Sequence, residues 1–285
     1  MRWANWSATM SMFLGKLHSA VKANAQSSEF PILGPSLTQA ASYPKVASSG
    51  GSFDVANLHN YMGGRNPGTG GWGTGGYGSI AWNMALVTGS WPGKSVITTE
   101  TGYCNDLTKT DSIPEDVAGR YFPRIFLEQW LHGIQRTYIY ELVDVGTAAG
   151  DNGYGLLHSD FSPKPGYNAI KSVLGLLSDE GPAFKPAALG MKLSGELTNV
   201  HHLLLEKRDG TFYLAIWVEQ PSYDLNAKKA LAIAAQSVAL TLGRSARIVT
   251  HKLDASGNLQ TSALGTGTTE TIEVSDLLTI LEISQ

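Results

Sequence analysis

Two glutamates in the first half of the chain stand at or near the end of a predicted strand. Glu100 closes a segment rich in β-branched residues, 94–101, and Glu141 lies near the end of the apolar segment 136–143. Neighbouring strands of a sheet lie about 4.8 Å apart, so the two carboxylates would stand roughly 5–8 Å apart. That range covers the separations used in retaining and inverting hydrolysis of glycosides. The pair therefore predicts nucleophilic or acid–base chemistry at a glycosidic bond.

Polar and aromatic side chains collect at the same rim of the predicted sheet. In parallel α/β folds the functional residues lie at the carboxyl ends of the strands. Aromatic faces stack on pyranose rings, and amide, imidazole and carboxylate groups bond sugar hydroxyls. The residues expected to contact a sugar here are Asn57, His59, Tyr61, Trp72, Tyr103 and Tyr140.

Each of these residues also has a structural interpretation. Glu100 or Glu141 could be an ordinary strand-end carboxylate bonded to an arginine or a backbone amide. His59 could be a buried histidine that is satisfied by a backbone carbonyl. The aromatic residues of the glycine-rich segment 63–78 could pack that loop instead of stacking on a sugar.

Helices and strands alternate over the first part of the chain. Apolar residues at three- and four-residue steps predict a helix over 5–24. Alternating strands and helices of this kind predict a parallel sheet covered by helices. The predicted strands are 30–37, 53–61, 94–101 and 136–143, and the later helices are 79–89, 114–132 and 166–178.

From about residue 183 the pattern changes to seven short β-rich segments. Asp209-Gly210 between two alternating runs is a strong signal for a hairpin. This part predicts an antiparallel β-sandwich. We therefore expect two domains, residues 1–182 and residues 183–285.

Four segments of the chain resemble clan A glycoside hydrolases, which are retaining enzymes with a (β/α)8 barrel. Segment 96–103 resembles the seventh barrel strand, which carries the nucleophile of those enzymes, and 58–61 resembles the sixth. Segment 137–144 is similar to the eighth strand, and 153–167 to the stretch that leads into the last helix. The resemblance implies a cellulase-like or xylosidase-like glycosidase with Glu100 as nucleophile. Its fold class would be α/β plus all-β: the C-terminal half of a TIM-type barrel, with four parallel strands, followed by a β-sandwich.

The sequence departs from this family at its beginning. The acid/base glutamate of the clan ends the fourth strand, usually as Asn-Glu, and no such segment precedes residue 30. The resemblance thus implies that the chain begins at the fourth helix and lacks the first half of the barrel. The eighth strand also ends in Tyr140-Glu141, where a Trp is common in the clan. Glu141 is then the candidate acid/base within this chain, and a partner chain is the other source.

Two further hypotheses compete with an enzyme. The chain could be a non-catalytic carbohydrate-binding or assembly module derived from such an enzyme, or a fragment of a longer gene product. A half-barrel would leave strand edges and an apolar face open, which predicts a homodimer or higher oligomer. The alternative is a monomer whose N-terminal helix covers that face. The open face would include some of Val55, Val96, Ile139 and Val143, and the covering helix would use Trp3, Trp6 and Phe13.

Composition narrows the classes of partner. The 285 residues carry a net charge of −3, which argues against a nucleic-acid surface. No apolar run reaches the roughly 18 residues of a membrane span. Lys16 and His18 interrupt any signal-peptide core in residues 2–21, so no clear signal is expected, although enzymes of the resembled clan are often secreted.

No cofactor or metal is expected. The single cysteine, Cys104, excludes an intrachain disulfide and a cysteine-rich zinc site. His201 and His202 alternate in a predicted strand, so they cannot face one metal. The glycine-rich segment 63–78 lacks the lysine of a phosphate loop. The acidic segments 151–153 and 254–258 predict turns and lack the acidic count of a calcium loop.

Overall fold

The computed structural model describes residues 5–145 and 153–285. These residues form two compact units that do not follow the chain order. The first unit contains the described residues up to Met62, together with Gly70–Gly102 and Glu128–Tyr140. The second contains Gly63–Thr69, Tyr103–Leu127 and Glu141–Gln285. The predicted division near residue 182 separates two fold types along the chain and stays a prediction.

The four predicted helices agree with the structure to within one residue at each end, and the short α2 was not predicted. Ser79 caps its helix because its hydroxyl accepts the Trp82 N–H at 3.1 Å. Pro165 occupies a first-turn position, where its missing N–H costs nothing. The helices are α1 (Trp6–Ala23), the short α2 (Tyr43–Val46), α3 (Ile80–Ser90), α4 (Glu115–Leu131) and α5 (Pro165–Leu177).

The first unit contains a parallel sheet with the order β1-β2-β3. Its strands are β1 (Ala56–His59), β2 (Val96–Thr101) and β3 (Ile134–Ile139). The prediction of a strand over 30–37 is wrong: only an isolated parallel bridge joins Leu33 to Val55. Pro31 and Pro35 flank the bridge, and a proline has no N–H with which to extend a ladder. The described sheet therefore has three strands and not four.

The two faces of this sheet differ in burial. Leu58, Val96 and Thr98 lie on one face and are at most 2% exposed. The opposite face borders a groove of about 400 Å³ that is lined by Val55, Ile97 and other residues. Of the residues that the open face was expected to include in part, Val55 lies on it and Val96 is buried on the other face. The remaining lining residues are Pro31, Leu33, Gln135, Arg136 and Tyr138.

The second unit is built around an antiparallel sheet. Its six strands are β4 (Met191–Gly195), β5 (Val200–Glu206), β6 (Phe212–Val218), β9 (Gln236–Leu253), β10 (Leu259–Val274) and β11 (Thr279–Ser284). The order is β10-β9-β11-β6-β5, and β4 pairs with β9. A separate two-stranded ribbon joins β7 (Tyr223–Asp224) to β8 (Lys229–Ala230).

This sheet corrects the prediction of a two-sheet sandwich. The first part of β9 pairs with β4 and its second part with β11, while β10 follows β9 along its other edge. The ladder with β10 shifts register at Gly265 and again after Gly267, and such irregularities bend strands. One continuous, curled sheet therefore replaces two separate sheets.

Strand β6 of the second unit is buried on both faces. Leu214, Ile216 and Val218 pack with residues of β9, β10 and β11 inside the curl. Ala215 and Trp217, on the opposite face, pack with Ala169 and Val173 of α5. The alternation of side chains along β6 thus joins the inside of the curl to the layer beneath α5.

The predicted turns of the second unit form as expected where they are described. The predicted hairpin joins β5 to β6, and Gly210 adopts φ +85° in its turn. Asp254 Oδ1 accepts the N–H groups of Ser256 and Asn258, each at 2.9 Å. Residues 151 and 152 of the other predicted turn lie outside the described residues, as does Trp3. In the part of the chain that is described, no helix has the length and apolar character that a membrane crossing requires.

Candidate active site

A β-bulge in β2 lies next to His59. Leu58 of β1 pairs with Thr98, but the next residue, His59, pairs with Glu100, so β2 has one extra residue at this point. The ladder between β2 and β3 also shifts between Thr98 and Thr101. Bulges in parallel pairs are rare, and bulges concentrate next to active sites, where they redirect side chains. Here the bulge brings both Thr99 and Glu100 into contact with His59.

The Glu100 carboxylate is held at one oxygen. Its Oε2 accepts the Tyr61 hydroxyl at 3.2 Å and lies 3.2 Å from Nδ1 of His59. The side chain remains 39% exposed. All the contacts that the described residues make with this carboxylate fall on Oε2, so Oε1 is the oxygen that can approach a ligand. An oriented, solvent-accessible carboxylate of this kind can act as a nucleophile.

A buried polar network lies under the sheet at the same end. Asn60 Oδ1 accepts the Thr98 hydroxyl at 3.1 Å and the Gln129 amide at 3.3 Å. Thr137 of β3 donates its hydroxyl to Gln129 Oε1 at 2.6 Å. These contacts connect Asn60, the residue after β1, with β2, β3 and the end of α4. They hold in register the strands that carry His59 and Glu100.

Asn57 is bonded within the protein and is hardly accessible to a ligand. It is 8% exposed, and its Oδ1 accepts both the hydroxyl of Thr99, at 2.8 Å, and the Thr99 N–H, at 3.3 Å. Thr99 in turn lies 2.9 Å from Nε2 of His59. Thr99 was not predicted as a site residue, because strand alternation assigns it to the face opposite Glu100. Only the bulge places both on one side.

Tyr103 was expected to contact a sugar, but it lies in the core of the second unit. It is 1% exposed, and its ring packs against Tyr121 and Phe122. The hydroxyl donates to the Arg65 carbonyl at 2.7 Å, and burial raises its pKa well above the usual value for tyrosine. A sugar cannot reach a ring in this position. Tyr103 therefore contributes to packing.

Trp72 packs the glycine-rich loop. Its N–H donates to the Tyr77 carbonyl at 2.8 Å, and the two rings meet edge to face at 5.6 Å. A Cβ on Gly78 would stand 2.2 Å from the Trp72 ring, so the ring sits directly against that backbone. Trp72 is half-buried, whereas Tyr77 is 46% exposed and is the more accessible ring of the loop.

The end of β3 leads to Tyr140 and Glu141. The Tyr140 N–H donates to the Thr101 carbonyl at 2.8 Å, which keeps it beside the end of β2. Glu141 belongs to the second unit, where its backbone bonds Tyr154 and Leu156. Both residues are half-buried. The structure thus brings Glu100, His59 and Tyr61 together within the first unit and places Glu141 in the second.

A second charged site was not predicted from the sequence. Glu219 is 6% exposed and Arg124 is fully buried, and they form a bidentate ion pair at 2.7 and 2.8 Å. Asn66, the Gly68 N–H and the Trp217 indole complete the donors to this carboxylate, at 2.7 to 2.8 Å. The available signal was a charged residue directly after the apolar strand 212–218.

The pKa values of this pair follow from its charges. Burial raises the pKa of Glu219, but the positive charge and hydrogen bonds of Arg124, with those of Asn66 and Gly68, outweigh burial and lower it. Burial lowers the pKa of Arg124, and Glu219, together with Tyr121 and Asp276, more than reverses this. Both groups are therefore held in their charged forms, and the site has the character of a structural clamp.

The described residues contain no group of three or more His, Cys, Asp or Glu side chains arranged to hold a metal ion. No known family model and no curated protein matches the chain by sequence.

Several solved structures are similar to this chain. A family 39 glycoside hydrolase from Bacteroides cellulosilyticus WH2 matches 84% of this chain with 46% of its own length, at TM-score 0.55 and 20% identity. A glucosidase from Croceicoccus marinus matches 98% of this chain with 65% of its own, at TM-score 0.63 and 12% identity. A family 86 β-porphyranase from Bacteroides plebeius matches 98% with 52% of its own, at TM-score 0.53 and 10% identity.

These likenesses show the fold of the chain. The chain has a glycoside hydrolase fold, and it spans between 46% and 65% of the length of these three structures.

Proposed function

We propose that the chain acts as a glycoside hydrolase on a β-linked oligo- or polysaccharide, with Glu100 as the nucleophile. The observation that carries the proposal is the exposed Glu100 carboxylate at the end of a parallel strand, held at Oε2 by Tyr61 and His59. The fold shared with a glucosidase and a β-porphyranase supports the substrate class.

The proposed chemistry is a double displacement. Oε1 of Glu100 attacks the anomeric carbon, the bond to the leaving oxygen breaks, and that oxygen takes a proton from a general acid. A glycosyl ester of Glu100 results. Water, deprotonated by the same acid/base group, then attacks the anomeric carbon and releases Glu100 as a carboxylate. His59 and Tyr61 hold Oε2 through both steps.

This chemistry also requires an acid/base group. None of the other acidic residues described in the first unit has a contact with Glu100 among the described contacts. Asp54 accepts the Ile32 N–H at 2.8 Å and pairs with Lys22 at 3.0 Å, and Glu128 is 1% exposed within α4. We therefore retain Glu141, or a carboxylate from a second copy of the chain, as the proton donor.

Tyr140 and Trp72 remain as candidates for stacking on a sugar. Tyr61 and His59 instead contact Glu100. Both candidates are half-buried and present part of their surface to solvent. Tyr103 and Asn57 are buried, so we assign them to packing and to positioning, respectively.

Covalent trapping tests the nucleophile directly. A 2-deoxy-2-fluoro β-glycoside with a good leaving group reacts with a retaining nucleophile but hydrolyses slowly afterwards. We expect peptide mass spectrometry to find the adduct on the peptide that carries Glu100, and to find none in Glu100→Gln. An adduct on another carboxylate would reject Glu100.

We further propose that the open face of the parallel sheet is covered by a second copy of the chain. Leu33 and Tyr138 line the groove there and are 39% and 50% exposed. An obligate interface buries roughly 2,000 Å² or more. Light scattering after size exclusion should give a dimer or larger species that Leu33→Glu dissociates. Leu107→Glu, at a residue that is 52% exposed in the second unit, is the control. A monomer at low micromolar concentration rejects the oligomer.

A non-catalytic carbohydrate-binding module is the alternative. Such a module would bind β-linked oligosaccharides in calorimetry without trapping by the fluoro-sugar, and an enzyme would show both. Binding without trapping or turnover would therefore support the binding module and reject the enzyme.

A further inference from the structure

Thr99 and Glu100 contact opposite nitrogens of one imidazole ring. Thr99 Oγ1 lies 2.9 Å from Nε2 of His59, and Glu100 Oε2 lies 3.2 Å from Nδ1. Both ring nitrogens therefore face oxygen atoms. The hydrogen-bonding role of each oxygen decides where the protons of the ring lie.

Asn57 determines the role of Thr99. The Thr99 backbone nitrogen lies 3.3 Å from Asn57 Oδ1, and a backbone N–H can only donate, so the amide oxygen of Asn57 faces Thr99. That oxygen also accepts the Thr99 hydroxyl hydrogen at 2.8 Å. A hydroxyl has one hydrogen, so Thr99 Oγ1 presents only lone pairs to His59. Nε2 must then carry the hydrogen of that bond.

The Glu100 side sets the second proton. With Nε2 protonated, a neutral His59 would point the lone pair of Nδ1 at a carboxylate oxygen, and the two would repel. The Tyr61 hydroxyl donates to the same oxygen at 3.2 Å, so Oε2 acts as an acceptor there. A hydrogen on Nδ1 removes the repulsion and forms a charge-assisted bond.

We propose that Thr99 and Asn57 are positioning residues that hold His59 as an imidazolium, with Nε2–H on Thr99 and Nδ1–H on Glu100. In the described residues the titratable groups at His59 are Glu100, in direct contact, and Tyr61, on the same carboxylate oxygen. The consequence for catalysis, that Glu100 stays ionised with Oε1 free to attack, rests on the proposed function. The protonation state itself does not require turnover.

Nitrogen NMR of the whole chain tests this state. His59→Gln identifies the His59 signal among the seven histidines. Long-range ¹H–¹⁵N spectra, recorded between about pH 5 and pH 8, report the protonation of each ring nitrogen. At neutral pH we expect both nitrogens of His59 to show the shifts of protonated nitrogen. An unprotonated Nε2 in the unmodified protein would overturn the proposal without any variant.

Two variants at position 99 test whether Thr99 holds the Nε2 hydrogen of His59. Thr99→Val keeps the shape of the side chain and removes the acceptor of Nε2–H, so we expect a neutral His59 with its hydrogen on Nδ1 at the same pH. Thr99→Ser retains the hydroxyl and should restore the wild-type shifts. If Thr99→Val leaves both nitrogens protonated, Thr99 does not hold the charge and the proposal fails.

The readout separates this inference from the proposed function. If the protein shows the expected nitrogen shifts but no glycosidase activity, the protonated state of His59 is supported and the proposed enzymatic function is rejected. If the protein hydrolyses glycosides but Nε2 of His59 is unprotonated, the enzymatic function is supported and the proposed role of Thr99 is rejected.

Discussion

Nδ1 of His59 lies 3.2 Å from Oε2 of Glu100, across two neighbouring strands of a parallel sheet. The contact depends on the extra residue of β2, which pairs His59 with Glu100 and not with Thr99. Without the bulge, the alternation of side chains along β2 would direct Thr99 or Glu100, but not both, toward the imidazole. The candidate site is therefore a product of strand register as well as of residue type.

The first prediction concerns the nucleophile. Glu100→Gln keeps the shape of the side chain and removes its nucleophilic oxygen, so hydrolysis of aryl β-glycosides should fall roughly 10⁴-fold or more. Glu29→Gln, at an exposed position of the same unit, is the control and should retain full activity. Thermal unfolding should show that both variants remain folded. Full turnover by Glu100→Gln would end the assignment.

The second prediction concerns the acid/base. If Glu141 supplies the proton, Glu141→Ala should slow poor leaving groups by about 10²–10⁴-fold, because these need protonation to depart. An activated aryl glycoside should be much less affected, and azide should restore part of the rate. Equal losses on both substrates would assign Glu141 a structural role or place the acid elsewhere.

The third prediction concerns the buried ion pair. Glu219→Leu leaves the Arg124 guanidinium buried without its carboxylate, which should lower the free energy of unfolding by about 3–5 kcal/mol. The double variant Glu219→Leu/Arg124→Leu removes both charges and should recover part of that loss. Chemical denaturation measures all three proteins. A double variant less stable than the single one would contradict the desolvation argument.

The fourth prediction is the pH dependence of stability. The pKa of Glu219 is lower in the folded protein than its usual value of 4.5, so the folded state favours the ionised form. The stability from this group is present above pH 4.5 and is lost as the pH falls through the lowered folded pKa. Denaturation of the wild type and the double variant, between about pH 3 and pH 7, should show a smaller acid loss in the variant. Parallel curves would mean that Glu219 is not the group responsible.

The fifth prediction concerns Gly102, which follows β2. A Cβ at this position would stand 2.2 Å from the Tyr140 carbonyl oxygen, so Gly102→Ala must displace the backbone. We expect a loss of about 1–3 kcal/mol in unfolding free energy, the usual cost of overpacking. Gly89→Ala is the matched control, since nothing lies within 4 Å of its Cβ in α3. Gly89→Ala should lose no stability, because alanine favours a helix more than glycine does. A loss of equal size in both variants would contradict the explanation by the contact with Tyr140.

Local chemistry accounts for the elements that the sequence predicted well. The helices follow from apolar spacing and from residues such as Ser79 and Pro165 at their first turns, which act within a few residues of the chain. The rule that strand ends carry function also led to Glu100, His59 and Tyr61, which the structure brings together. Each of these inferences needs only near neighbours in sequence.

Tertiary structure decided the remainder, because those features join residues that are far apart in the chain. Arg124 and Glu219 meet across 95 positions, and no local pattern pairs them. Tyr103 has the residue type of a sugar contact, but packing against Tyr121 and Phe122 buries it. The bulge that places Thr99 beside His59 depends on how β2 aligns with both of its neighbours, and strand alternation alone assigns Thr99 to the wrong face.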